Sequence, residues 1–134
     1  MFDQLNALRP QAHWFLRGGF AAVFLFHGFG KVATFSGFSQ MMGLSVPVAG
    51  LVTFAEVAAG LGIIFGAFQS DLVTRLAALA SIPVMLGAIF MVHWPRWSFT
   101  PAEDFPMGGM EFQVVLLLIG IYFLITGNQQ SQSA

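Results

Sequence analysis

The run from Val46 to Phe68 (VPVAGLVTFAEVAAGLGIIFGAF) is apolar almost throughout, and its single charge, Glu56, falls near the middle. At about 1.5 Å per residue, a helix of that length crosses roughly 30 Å of hydrocarbon. A carboxylate at such depth costs about 2.5–3.5 kcal/mol on insertion scales unless it is paired, hydrated or protonated. Two constraints follow: the run must be buried in lipid or among other helices, and Glu56 must be paired, hydrated or protonated.

Composition extends this constraint to the whole chain. Charged residues are 8% and hydrophobic ones 57%, with a mean hydropathy of +0.78. Soluble domains carry about a quarter charged residues, so the chain reads as an integral membrane protein. Its 134 residues suit one domain with little left outside the bilayer. A formal charge of −1 argues against a nucleic-acid partner, which favours a basic patch or stripe. The lack of cysteine excludes a disulfide framework, a thiolate nucleophile and Cys-ligated Fe–S chemistry, but does not identify the redox compartment.

The pattern predicts an all-α membrane protein, a four-transmembrane-helix bundle, with spans at about 15–35, 46–68, 72–94 and 111–126. Their apolar character extends around most of each circumference, so periodicity alone does not orient them. The runs are too long for strands, and no ten-residue alternation marks a membrane barrel. Ser36, Gly37, Gly43 and Pro47 mark the first expected connection, and Gln69, Ser70 and Asp71 the second. The longest loop, Pro95 to Gly109, opens beside Trp94 and Trp97, whose rings favour the headgroup boundary. Residues 127–134 read as a polar C-terminal tail. Met1 to Pro10 lacks the apolar core and cleavage site of a signal peptide, leaving the first span as an uncleaved targeting signal.

Cytoplasmic termini place Arg9, Arg17 and Arg75 inside and Lys31 and Arg96 outside, which agrees with the positive-inside rule. Whichever way the bundle is inserted, its up-and-down course brings His27, Lys31, His93 and Glu111 to one membrane half. Glu56 lies deeper, near the midplane. Arg17 and Arg75 fall at the opposite end. That asymmetry makes His27, Lys31, Glu56, His93 and Glu111 the candidate site.

His27 and Lys31 share a helix face one turn apart. Lys31 can pair with Glu56 or Glu111, and His27 can carry a proton or bond a carbonyl. This suits a polar pocket for a quinone headgroup, with Glu56 and His27 as the proton-handling pair and Lys31, His93 and Glu111 completing the binding set. The competing reading has Lys31 snorkelling to the interface and His27 bonding a helix carbonyl. His93, beside Trp94, also suits an interfacial polar tip, and Glu111 a carboxylate at a helix start. Gly28, Gly30, Gly60, Gly62 and Gly66 fit close helix packing better than phosphate binding. His27 and His93 are offset by about 9 Å along the normal, which disfavours a bis-His haem. No tight spacing supports a metal site from His27, His93 and Glu111. Neither haem nor metal is expected.

The segments FLFHGFGKVATF, AEVAAGLGIIFG, TRLAALASIPVMLGAIFMVHW, GGMEF and LITGN together resemble the DoxX family of small four-helix membrane proteins. The resemblance runs from about Leu16 to Gly127, and its matching polar positions are His27, Lys31, Glu56, His93 and Glu111. The tail departs from it: GNQQSQSA stands where family members often read TGPG with a later acidic residue. The resemblance implies a bacterial or archaeal cytoplasmic-membrane protein. Related DoxD proteins form the membrane subunit of an archaeal thiosulfate:quinone oxidoreductase, and other DoxX-like proteins act beside soluble redox enzymes in oxidative and thiol stress. Expected partners are therefore membrane lipid and a protein, either a redox enzyme subunit or a second copy of the chain. A non-catalytic accessory subunit is the leading alternative, and a small-molecule or proton transporter the third, set back by the lack of an inverted repeat.

Overall fold

The structure, a computed structural model, describes residues 2–128. Among these, regular structure is helical, and extended pairing is confined to the isolated bridge between Ala102 and Phe105. The helices are α1 (Phe2–Asn6), α2 (His13–Ala33), α3 (Phe35–Met41), α4 (Val46–Gln69), α5 (Asp71–Ala88) and α6 (Glu111–Thr126). The tail expected over 127–134 is described only to Asn128, and its remainder lies outside the described residues.

Local chemistry explains the helix ends. Pro47 occupies the first turn of α4, where its missing N–H costs nothing. Ser70 turns extended after α4 and accepts the Val73 N–H at 3.3 Å, capping α5. A single residue thus reverses the chain, and α4 and α5 form an antiparallel hairpin. At its far end α5 widens into a π-helical turn, Ile89–His93. The first connection differs from expectation: α2 ends at Ala33, and residues expected as loop form α3, bent 98° from the preceding helical segment. Phe38 accounts for the turn, because its buried ring folds back under the Lys31 ammonium, 5.1 Å from the ring centre.

Two helical segments, Val46–Gln69 and Asp71–His93, have the length and apolarity to cross a membrane, and the bent segment from Arg9 to Met41 makes up to three. With 16 residues, α6 is about 24 Å long, short of the hydrocarbon thickness.

The packing order is α2 on α4, α4 on α5, and α5 on α6, with α6 meeting α2 at one end. Phe20, Phe24, Ala59, Ile63, Ala78, Met85, Leu116 and Phe123 form the shared core. The outside is as apolar as the inside: Phe15, Leu51, Phe54, Phe65, Leu76 and Leu118 all stand exposed. So large an apolar surface is a liability in water and the normal exterior of a helical membrane protein.

Close approach depends on glycine. A Cβ at Gly28 would lie 2.8 Å from Val57 Cγ2, one at Gly60 2.7 Å from Leu25, and one at Gly62 2.7 Å from Ala77. Gly66 meets the Thr74 backbone in the same way. These four are the close-packing positions expected from the sequence. Gly30 differs, with no atom within 4 Å of where its Cβ would lie.

Candidate functional site

The crossing of α2 and α4 brings Lys31 and Glu56 together. Gly28, one turn before Lys31, lets the α2 backbone settle against Glu56 and Val57. Lys31 Nζ then lies 2.8 Å from Glu56 Oε1 and 2.7 Å from Oε2. Glu56 is only 4% exposed, so the carboxylate sits inside the helix packing, while Lys31 is half-buried at its rim. Both carboxylate oxygens are engaged, whereas the ammonium has three N–H donors and spends two. Its third is free for another acceptor or for the Phe38 ring.

His27 shares the Lys31 face one turn away, but its ring is exposed on the outer surface of α2 beside Phe26, 5.5 Å between centroids. No hydrogen bond or ion pair among the described residues joins Lys31 or Glu56 to His93 or Glu111.

His93 and Glu111 hold a different structure. The π-helical turn carries His93 inward, where Nδ1 donates to the Gly108 carbonyl at 2.9 Å. That bond leaves Nε2 to accept from the Gln113 amide at 2.9 Å. Glu111 Oε2 accepts the Phe99 N–H at 3.2 Å. The backbone completes the clamp, since Met110 N–H donates to Arg96 O at 2.8 Å and Glu111 N–H to Trp97 O at 2.9 Å. Gly108 is needed at its φ of 76°, and a Cβ there would collide with the Phe99 carbonyl. Two buried polar atoms in this region, Arg96 Nε and Gln113 Oε1, have no partner among the described residues.

A second buried polar cluster surrounds Arg17, which the sequence placed at the opposite end from Lys31 with no role and no partners. Arg17 is 1% exposed and reaches from α2 to the other three long helices. Its Nε donates to His13 Nδ1 at 3.0 Å, Nη1 to the Ile63 carbonyl and to Thr74 Oγ1 at 3.2 Å, and Nη2 to Asn128 Oδ1 at 2.7 Å. The Phe123 ring lies 4.8 Å from the guanidinium carbon. Asn128 ties the network further, donating to the Gly66 carbonyl at 2.9 Å and accepting from Thr74 Oγ1 at 2.8 Å. The available signal was the spacing of His13 and Arg17, the same four residues that separate His27 and Lys31. Among the described residues, no three His, Cys, Asp or Glu side chains cluster so as to hold a metal ion.

The helices and the ion pair buried between them define a small helical membrane protein with ionisable groups in its interior. A model of the DoxX family matches residues 12–94, more than half of the chain, and the chain belongs to that family. The match includes His13, Arg17, His27, Lys31, Glu56 and His93 and ends before Glu111. No curated protein and no solved structure matches the chain.

Proposed function

We propose that this DoxX-family chain forms one four-helix domain in a bacterial or archaeal cytoplasmic membrane, with cytoplasmic termini, and serves quinone-linked redox chemistry within a larger oxidoreductase complex. The observation that carries the reading is the Lys31–Glu56 pair, a carboxylate and an ammonium held at 2.7 Å inside apolar helices. Intramembrane ion pairs are expensive, which makes function their default explanation.

The donor set fits a quinone headgroup. Lys31 retains one N–H for a carbonyl oxygen, and the exposed His27 ring lies on the same face for a second contact. A bound quinone would supply a lipid-soluble two-electron carrier. Lys31 orients the acceptor oxygen, Glu56 Oε1 and Oε2 hold the ammonium in place, and the exposed His27 and the buried Glu56 hold or release protons. His93 and Glu111 complete the proposed set from the loop side, where they fix the segment covering that end. Electrons come from a partner subunit, since the chain has no cysteine for Fe–S ligation or dithiol chemistry.

The accessory reading has its own support, because His93 and Glu111 spend their contacts on the loop clamp and act there as structural groups. Quinone retention and electron transfer in Glu56→Gln and His27→Ala, with membrane insertion checked, separate the two. Loss of both activities in inserted protein supports the quinone site. Unchanged quinone binding and transfer sink it, and loss of co-purifying subunits with no quinone bound to wild type identifies an accessory subunit.

A further inference from the structure

We propose that the cleft at Arg17 is a binding site for an oxyanion, a carboxylate or phosphate group, separate from the Lys31–Glu56 pair. Arg17 precedes Lys31 by fourteen residues on α2, about 21 Å along the helix.

The argument begins with charge. Arg17 and Lys31 are both cations among apolar helices, but only Lys31 has a carboxylate: the ion pairs among the described residues are Lys31–Glu56 and Arg75–Asp71. All four hydrogen-bond acceptors of Arg17 are formally neutral. The Phe123 ring and the carbonyls near the end of α4 offset part of the burial cost, and a net positive charge remains.

Donor geometry points the same way. A guanidinium has five N–H groups, of which these bonds use four, leaving one on Nη2. Because His13 Nδ1 accepts from Arg17, the neutral ring carries its proton on Nε2 and has that donor to offer. The two residues that carry these donors, His13 and Arg17, line one space, a cleft of about 120 Å³ shared with Trp14, Ala67, Phe123, Gly127 and Asn128. That is room for a group of several heavy atoms, since a cavity of about 10–15 Å³ already holds one water. The neighbouring carboxylate, Asp71, is bound to Arg75 at 2.5 Å and to the Asn128 N–H at 2.6 Å, so it does not neutralise Arg17.

The cleft lies where α2 and α5 begin and α4 and α6 end, with the Trp14 ring in its wall. This is the level at which an amphipathic Trp meets lipid headgroups. The oxyanion can therefore belong to an acidic lipid or to a soluble anion, and both present the same chemistry to Arg17.

The test uses the full chain carrying Trp94→Phe and Trp97→Phe, which leaves Trp14 as the sole tryptophan reporter. Its fluorescence is titrated with inorganic phosphate and with acetate in a neutral detergent. In parallel, native mass spectrometry scores retention of phosphatidylglycerol against phosphatidylcholine. His13→Ala removes the Nε2 donor and the acceptor of Arg17 Nε while leaving Arg17 bonded to Ile63, Thr74 and Asn128, a milder change than Arg17→Met. A saturable Trp14 response to phosphate or acetate, at least tenfold weaker in His13→Ala, establishes a soluble-anion site. Selective phosphatidylglycerol retention reduced at least tenfold in His13→Ala, with no response to either free anion, assigns a lipid headgroup. Absence of binding to folded wild type, or binding that His13→Ala leaves unchanged, overturns the proposal and makes Arg17 a structural staple.

Discussion

Lys31 Nζ lies 2.7 Å from Glu56 Oε2 and 2.8 Å from Oε1, so one ammonium satisfies both oxygens of a carboxylate that is itself almost fully enclosed. The carboxylate has no water to fall back on when the lysine is removed. Lys31→Met is expected to destabilise the protein by about 3 kcal/mol, because breaking a buried pair leaves an uncompensated charge. Lys31→Met with Glu56→Met removes both charges and should recover most of that loss. A double-mutant cycle on thermal unfolding in detergent, followed by tryptophan fluorescence, reads the coupling. Additive effects would show that the pair contributes no interaction of its own.

Glycine substitutions probe the same helix crossing. Gly60→Ala places a methyl 2.7 Å from Leu25 Cγ and 3.2 Å from its backbone nitrogen. Because backbone cannot move aside as a side-chain tip can, the expected cost is about 1–3 kcal/mol. Gly30→Ala meets nothing within 4 Å and is expected to be neutral or to stabilise α2 by up to about 1 kcal/mol through helix propensity. Unfolding midpoints of the two variants should therefore move in different directions or by clearly unequal amounts.

That Lys31 pairs with a carboxylate was legible, because an ionisable residue amid apolar helices favours a partner, but the choice between Glu56 and Glu111 came from the crossing of α2 and α4. Three of the other readings needed tertiary structure. Arg17 near the end of a span reads equally well as an interfacial charge, and what buries it is Phe123 and Asn128, more than a hundred residues later. The α3 segment contains Ser36 and Gly37, which signal a break, yet the contact of Phe38 with Lys31 holds it helical. His93 and Glu111 were grouped with Lys31 by expected topology alone, and they bond Gly108, Gln113 and Phe99 instead. Their contacts are set by a π-helical turn and by the Gly108 conformation, neither of which hydropathy encodes.

The loop clamp gives a prediction that separates it from the ion pair. His93→Ala deletes the bonds to Gly108 and Gln113, and Gly108→Ala forces a Cβ into the Phe99 carbonyl at a φ of 76°. Both should raise amide exchange across residues 95–109, with a cost of about 1–3 kcal/mol from the buried groups left unpaired. The Lys31–Glu56 coupling should stay as in wild type in both backgrounds. A drop in that coupling would show that the loop and the pair act as one unit.

At the opposite end of the helices from the loop, Arg75 performs two tasks of unequal weight. It pairs with Asp71 at 2.5 Å, and its Nη1 donates to the last carbonyls of α6, Leu124 O at 2.6 Å and Ile125 O at 2.8 Å. The ion pair is exposed, and solvent and salt screen such pairs so that they contribute little. The carbonyls belong to the set that a helix end leaves without partners, and bonds from a charged donor contribute about 1.5–3 kcal/mol each. Asp71→Asn keeps an oxygen for the Asn128 N–H and leaves Arg75 on the carbonyls, so it should change stability little. Arg75→Ala should cost more and should raise exchange in the last turn of α6, whereas Arg75→Lys restores the charge without the fork that reaches carboxylate and carbonyls together. Hydrogen exchange at residues 122–127 decides between the tasks. Equal protection in Asp71→Asn and Arg75→Ala would assign the main role to the ion pair.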